Sequence, residues 1–401
     1  MRRKLIGIGT VILVLVLLLT LAPSCGKEKG EVKTLKIGFH APLSGPAAPW
    51  GAEYEEGVKW AVDDINAAGG IKVDGDTYML EVVSCDTKYQ GSVAAECAHY
   101  LVYDEGCKFV IGPIGTTDAV LPIYNENKVL CVSTSAEAPN PDWPYHVNGC
   151  LQVPAWLDTW YMLVAKHRPE LKTVVVINPD SAGGHDWMDA SLVAAPKYGM
   201  TVVDTGFFDA AATDFYPLLT PIVASNPDAV EMGVAPAGQL GLMTKQIREL
   251  GYEGFILQPA LAPIEQLKEI AGEENCWGIA TDQADYTSPV FPQPLRDLYQ
   301  RWLQKYAEPG EATMNVCVVH GYGQMGFIKT AIEEAGSIDV DEVIKAFEDP
   351  DFTFERYLNS PAKLSGLETF GIMRQFPMFI VYAEIWDAEV EIIDGADVEM
   401  P

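Results

Sequence analysis

The residues of this sequence that could do chemistry are binding groups placed at the ends of apolar runs. Ile114-Gly115-Thr116-Thr117 follows the run KFVIG and opens a helix-like stretch reaching Asn127. Peptide N–H groups at a helix start lack intrahelical partners and carry the positive end of its dipole. With a hydroxyl from Thr116 or Thr117, such a turn suits a carboxylate. Thr117 could equally cap the helix, and the two roles are compatible. Ser133-Thr134-Ser135-Ala136-Glu137 follows the next run, VLCVS. The Glu137 carboxylate could pair with an ammonium or face solvent. Trp50 precedes a helix start and offers a rigid apolar face, or else packs as a surface loop residue. His185 and Trp187 could line the same space, or sit on an outer helix face.

Catalytic and metal patterns are missing from the sequence. The six histidines, at 40, 99, 146, 167, 185 and 320, form no HExxH, and no CxxC or zinc-like cysteine spacing occurs. His185 and Asp186 are adjacent and cannot meet across one helix face. His320 to Gly326 (HGYGQMG) contains GxGxxG inside a longer helical pattern, where small residues let helices pack closely. No cofactor or metal is expected.

The elements that must position these groups alternate. Leu35 to Ile71 reads as strand, loop, helix and glycine stop, with Tyr54, Val58, Ala61, Val62 and Ile65 at helical spacing. Strands are expected at 78–83, 108–112, 129–133, 173–178, 200–203, 229–233, 254–257 and 277–281, with helices between, including 91–105, 117–127, 155–167 and 186–197. That rhythm argues for parallel sheets in an α/β fold. Pro-rich interruptions at 138–154 and 282–294 read as crossings between two lobes. Helices follow at 295–306 and 313–335, and the mixed apolar and acidic tail, 378–393, suits antiparallel strands.

Met1-Arg2-Arg3-Lys4, the apolar run Leu5 to Leu21 and the small residues before Cys25 make residues 1–24 a secretory signal. Cys25 resembles a bacterial lipoprotein processing site; a membrane anchor or plain secretion are the other readings. A leader carrying +3 leaves 377 residues near −32, from −29 for the whole chain. Such a surface repels nucleic acid. Cys25 apart, seven cysteines remain, an odd number, and Cys97 shares a helical face with Val93, Tyr100 and Leu101, which predicts a buried thiol.

Four stretches, KIGFHAPLSGPAAPWG with its helix ending INAAGGI, VVSCDTKYQ, KFVIGPIGTTDAVLPIYNENKVLCVSTSA and TVVVINPDSAGGHDW, resemble the substrate-binding lipoproteins of ATP-driven importers for branched-chain amino acids. The resemblance runs from about Leu35 to Ile279. It implies a type I periplasmic binding fold: two Rossmann-like lobes, three hinge crossovers, and a solute enclosed by hinge closure. It divides the chain into a lipidated linker, 25–34, one lobe from 35–153 with about 282–360, and a second from 154–281 with about 361–393. It implies that Gly115 and Thr116 hold a ligand carboxylate, that Ser135, Ala136 and Glu137 hold carboxylate and amino group, and that Trp50 lines the apolar end. Tyr322 stands on a helix of the region that borders the crevice in the family.

The second lobe departs from the amino-acid pattern. The position of the covering aromatic falls at Gly183 or Gly184, the acid is missing from Pro259-Ala260-Leu261-Ala262, and the tyrosine from Gly233-Val234-Ala235-Pro236-Ala237. Burying an ammonium without a partner costs several kcal/mol. A small carboxylate-bearing solute, either an amino acid or a related organic or aromatic acid, is therefore expected. The implied partners are an ABC permease with its ATPase subunits and, through Cys25, the membrane, for a monomer outside the cytoplasm. A sensor for a signalling partner is the rival binding role. A small-amide hydrolase using His185 or Glu137 is the enzymatic one.

Overall fold

The computed structural model describes residues 30–45, 47–134, 137–150, 152–209, 212–235, 237–259, 264–282, 285–306, 314–357, 360–398 and 400. The leader, Cys25, Ser135 and Ala136 lie outside these.

The first sheet has six strands: β1 (Val32–Ala41), β2 (Ile71–Val73), β3 (Asp76–Asp86), β4 (Phe109–Ile114), β5 (Leu130–Thr134) and β6 (His146–Asn148), in the order β2-β3-β1-β4-β5-β6. All neighbours are parallel except β2 and β3. Helix α1 (Ala48–Ala67) covers one face, burying Tyr54, Val58, Ala61, Val62 and Ile65, which is the face the helical spacing predicts. Helix α2 (Gly91–His99) covers the other, over Leu101, Val110 and Cys131.

After β6 the chain crosses to a second sheet through helix α3 (Val153–His167). That sheet holds β7 (Thr173–Pro179), β8 (Thr201–Phe208), β9 (Ala229–Met232), β10 (Phe255–Gln258) and β11 (Ile279–Thr281), with helix α4 (Ala182–Lys197) between β7 and β8. From β11 the chain returns to the first lobe through α5 (Gln293–Tyr306) and α6 (Val316–Ala335), and Trp302 Nε1 donates to Glu56 on α1. A ribbon of β12 (Phe354–Glu355) and β13 (Pro361–Ala362) follows, and a third crossing leads to β14 (Met378–Trp386) and β15 (Glu389–Val398). The second sheet reads β15-β14-β11-β10-β9-β7-β8, with β14 antiparallel to β11 and to β15. The crossings are laced together: Phe376 N–H donates to Asn148 O and Gln375 Nε2 to Cys150 O.

Three local expectations change. The 117–127 helix is a 3₁₀ turn, Thr117–Ala119, followed by a separate helix, Leu121–Glu126. Val120 N–H bonds Thr117 O, and Pro122 has no N–H with which to continue a ladder across the junction. Cys97 is buried, but as the partner of Cys85 in a disulfide with Cα atoms 5.7 Å apart. The helix expected from Asp186 starts at Ala182, because Ser181 Oγ accepts from Gly184 N–H.

Buried ionisable groups set a pH dependence. Burial pushes His40 down to about 3, and His146 and His320 down to about 4. It pushes Glu231 and Asp282 up to about 7, against the hydroxyls of Tyr161 and Ser191 that donate to Glu231. Between pH 5 and 6 the unfolded chain protonates three histidines that the fold keeps neutral, while the fold protonates two carboxyls that the unfolded chain ionises. The unfolded state therefore binds about one proton more, and stability should rise by about 1.4 kcal/mol per pH unit there. Replacing His40 by glutamine should flatten that slope, as read from urea midpoints at several pH values in this window. An unchanged slope would contradict the assignment.

Candidate functional site

In the first sheet β1 and β4 are neighbours, and the chain leaves the carboxyl end of β1 toward β2 and β3 on one side and that of β4 toward β5 on the other. A crevice opens at such a switch point. The loop from β1 is tied down there by Asp86, which accepts from the N–H groups of Leu43 at 2.8 Å and Lys88 at 2.9 Å. Gly51 brings α1 close behind it, since a Cβ would stand 2.0 Å from Pro42 O. Trp50, on the first turn of α1, is 52% exposed.

The turn after β4 has the features a carboxylate needs, though not those of a long helix start. Gly115 takes φ +66°, and a Cβ there would lie 2.7 Å from the Tyr89 hydroxyl. The hydroxyls of Thr116 and Thr117 are buried and have no hydrogen-bond partner among the described residues. With only a 3₁₀ turn behind it, the turn has little dipole, so hydroxyls and local peptide groups are what it offers. Buried unpaired donors of this kind call for a partner. Tyr89, half exposed beside Gly115, joins the site from the loop after β3. Sequence pattern alone gave no sign of that contact.

Ser135 and Ala136 fall outside the described residues. Glu137 points one carboxylate oxygen, Oε2, into a buried position without a partner, while its peptide oxygen accepts from Asn148 Nδ2. Of the two fates open to it, facing solvent is not the one seen for that oxygen. Glu53, one turn along α1 from Trp50, also has a buried Oε2 without a partner. Burial, with Glu56 nearby, raises its carboxyl above the ordinary range.

The second lobe presents small groups and amides. Gly183 is exposed with nothing within 4 Å of a Cβ, whereas one on Gly184 would meet Pro179 O at 1.9 Å. At the carboxyl ends of β7 and β10, Asn178 Nδ2 and Gln258 Oε1 are buried without partners. Asn178 Oδ1 accepts from Val234 N–H at 3.3 Å, and Gly233 leaves room for it. A polar residue closing an otherwise apolar strand, as in TVVVIN and FILQ, was the available signal for both. His185 stacks on Phe207 with ring centroids 4.2 Å apart and bonds Asp180 at 2.9 Å. Trp187 is buried edge-on against Trp156, so it belongs to the core and not to the crevice wall.

Tyr322 is not brought to the turn. Its hydroxyl donates to Asp64 at 2.9 Å, accepts from Arg301, and its ring packs on Trp60. Asp64 lies fourteen residues beyond Trp50, about 21 Å along α1. Of the GxGxxG glycines, Gly321 packs helix on helix as the sequence implied, since a Cβ would meet Tyr54 O of α1 at 2.4 Å, whereas Gly323 and Gly326 let the β12 segment approach, where a Cβ would meet Arg356 O at 2.7 Å or Glu355 O at 2.6 Å. No group of metal-ligating side chains occurs among the described residues.

Comparison with known proteins places this geometry. The family described as periplasmic binding protein matches residues 34–366. A curated relative, Leu/Ile/Val-binding protein homolog 3 of Brucella melitensis, is 29% identical over 326 residues, covering 79% of this chain and 84% of its own. The branched-chain amino acid transporter substrate binding protein LivJ of Streptococcus pneumoniae, solved with isoleucine, superposes with TM-score 0.71 at 22% identity, over 91% of this chain and 99% of that one. A solute binding protein of an R. palustris ABC transporter, solved with benzoate, gives TM-score 0.68 at 18% identity, over 91% and 98%. The last two likenesses are of fold.

Proposed function

The chain belongs to the periplasmic binding protein family, and from that premise we propose that it captures a small carboxylate-bearing solute between its lobes and delivers it to an ABC importer. The observation that carries the reading is the pair of buried, unpartnered threonine hydroxyls beside Gly115. A carboxylate arriving there accepts both and relieves the cost of leaving them unpaired. Trp50 lies against the apolar part of the solute, and the Asn178 and Gln258 amides of the second lobe supply its remaining polar contacts. Contacts from both lobes exist only in the closed form, so they shift the hinge equilibrium by their differential affinity. Ser135, Ala136 and Glu137 complete the first lobe's grip, and Gly183 leaves space for a bulky substituent.

The rest of the proposal follows the leader. No helix among the described residues is long and apolar enough to cross a membrane. Attachment would run through lipid on Cys25, with the monomeric body held outside the cytoplasmic membrane beside its permease and ATPase subunits. The family consists of solute-binding proteins, and the chain is read as a carrier without turnover.

A thermal-shift screen of the body from Cys25 onward tests this. Amino acids, 2-oxo acids, aromatic acids and amides are compared. A true ligand at about 100 times its Kd should stabilise by about 2.7 kcal/mol. Shifts from amides alone would refute the carboxylate site.

A further inference from the structure

Two residues of the first lobe carry a backbone cost that packing does not explain. Lys88 and Tyr89, in the loop between β3 and α2, take φ +51° and +58°, and neither is a glycine. The left-handed region is unfavourable for any residue with a Cβ, and such strain persists only where the surroundings hold it. The holding groups are in place. Asp86 Oδ1 accepts from Lys88 N–H at 2.9 Å and from Leu43 N–H at 2.8 Å, and its Oδ2 accepts from Ser44 Oγ at 2.5 Å. Thr87 N–H donates to Ala41 O at 3.0 Å, and Thr87 Oγ1 accepts from Tyr89 N–H at 3.4 Å. The Cys85–Cys97 disulfide ties the base of the loop to α2.

Burial of the ring is not what this bracing achieves, because Tyr89 is 48% exposed. It achieves position. The Tyr89 hydroxyl stands on the side of Gly115 where any other residue would carry a Cβ, 2.7 Å from that point. Gly91, two residues further on, starts α2 against the same turn, where a Cβ would meet Ala119 at 3.4 Å. The phenol therefore lies over the turn whose next two hydroxyls, of Thr116 and Thr117, are buried without partners. Its own hydroxyl makes no hydrogen bond with a described residue; only the Tyr89 N–H is engaged. Asp86 also bonds the loop from β1 that leads to Trp50, so both aromatic residues reach the crevice on loops that share one anchor.

We infer that Tyr89 is a ligand-contacting residue of the first lobe, whose hydroxyl donates to the solute carboxylate from the exposed side of the Gly115 turn. This deepens the proposed function and rests on it. Thr116 and Thr117 supply hydroxyls from the buried side, and Tyr89 supplies a third from the rim. Hydrogen bonds to an ionised acceptor are roughly twice as strong as those between neutral groups. The third hydroxyl therefore sharpens the preference for an acid over its uncharged ester. The strained loop is then a cost of specificity: the αL backbone at Lys88 and Tyr89 sets the phenol over a glycine that alone leaves room for it.

The test uses titration calorimetry on the wild-type protein from Cys25 onward, on Tyr89→Phe and on Tyr89→Gly. The probes are leucine, its 2-oxo counterpart and benzoate, each beside its methyl ester. At least one acid should bind the wild type, and more tightly than its ester. Tyr89→Phe keeps the ring and removes the hydroxyl. It should weaken that acid by about tenfold or more, the loss expected for a hydrogen bond to a charged group, and change the ester by less than about threefold. Tyr89→Gly should weaken the acid at least as much with little change in its urea midpoint, because glycine takes a positive φ without strain and this offsets the lost ring contacts. Equal binding of the acid by wild type and Tyr89→Phe, with the ester weak on both, would overturn the role of Tyr89 and leave the carboxylate reading standing. Equal losses of acid and ester in Tyr89→Phe, with Tyr89→Gly less stable than wild type, would make the tyrosine a structural support and overturn its contact with the charge. A wild type that binds an ester as tightly as its acid, or binds none of the three acids, would overturn both readings.

Discussion

Valine in place of Gly115 is expected to weaken carboxylate binding by more than about 100-fold, the equivalent of about 2.7 kcal/mol, while the chain still folds. Gly115 holds φ +66°, a region that costs a residue with a Cβ roughly 1–2 kcal/mol and a β-branched one more. The backbone must shift to relieve that strain, and Thr116 and Thr117 shift with it. The new Cβ would also press to 2.7 Å from the Tyr89 hydroxyl and push that ring off the turn. Because Tyr89 is half exposed it can swing outward, which is why the loss falls on binding more than on folding. Titration of the best acid from the ligand screen, beside an unfolding curve, separates the two. Binding within about threefold of wild type would mean that the turn does not hold the solute.

Alanine in place of Gly57 should cost at least about 3 kcal/mol of stability, and here the sign decides between two physical accounts. Helix propensity alone predicts a gain of about 1 kcal/mol for alanine over glycine inside a helix. Packing predicts the opposite, because a Cβ on Gly57 would stand 2.1 Å from Val318 O and one on Gly321 would stand 2.4 Å from Tyr54 O. These are backbone atoms of the facing helix, so relief requires α1 and α6 to move apart and to loosen the buried Tyr54–Gln324 bond between them. Urea unfolding gives the answer. A stabilised Gly57→Ala protein would show that the two helices are not in contact there.

How much of this could be read in the sequence depended on how local the cause was. The strands of the two sheets are short apolar runs, and their burial on both faces made 109–112, 130–133 and 173–178 plain to read. β2 and β6 are three residues each, and β6 lies within a Pro-rich stretch that reads as a crossing. Only its pairing with β5, at Cys131–His146 and its neighbours, makes it a strand. The helix expected from Thr117 failed for a local reason, Pro122, whose missing N–H was visible but outweighed by apolar spacing.

The site divides in the same way. The turn at Gly115 and Thr116 was legible because a strand followed by Gly-Thr-Thr is a local pattern. The buried Oε2 of Glu53 was not, since a lone glutamate on a helix does not show that one of its oxygens will lose its partners. Tyr322 misled in the reverse direction: it belongs to α6, but the phenol turns along α1 to Asp64 and Arg301. Cys97 was read as buried and is, yet its bond to Cys85 depends on how β3 and α2 meet, which periodicity does not encode.

The central claim is that the charge of a carboxylate, met by Thr116 and Thr117 beside Gly115, is what this protein recognises. Its most direct test is calorimetric titration of the wild-type protein with the tightest acid from the screen and with the methyl ester of the same compound. The account predicts binding of the acid and a loss of at least about 100-fold for the ester, which keeps the carbon skeleton and removes the charge. An ester that binds as tightly as its acid would contradict it.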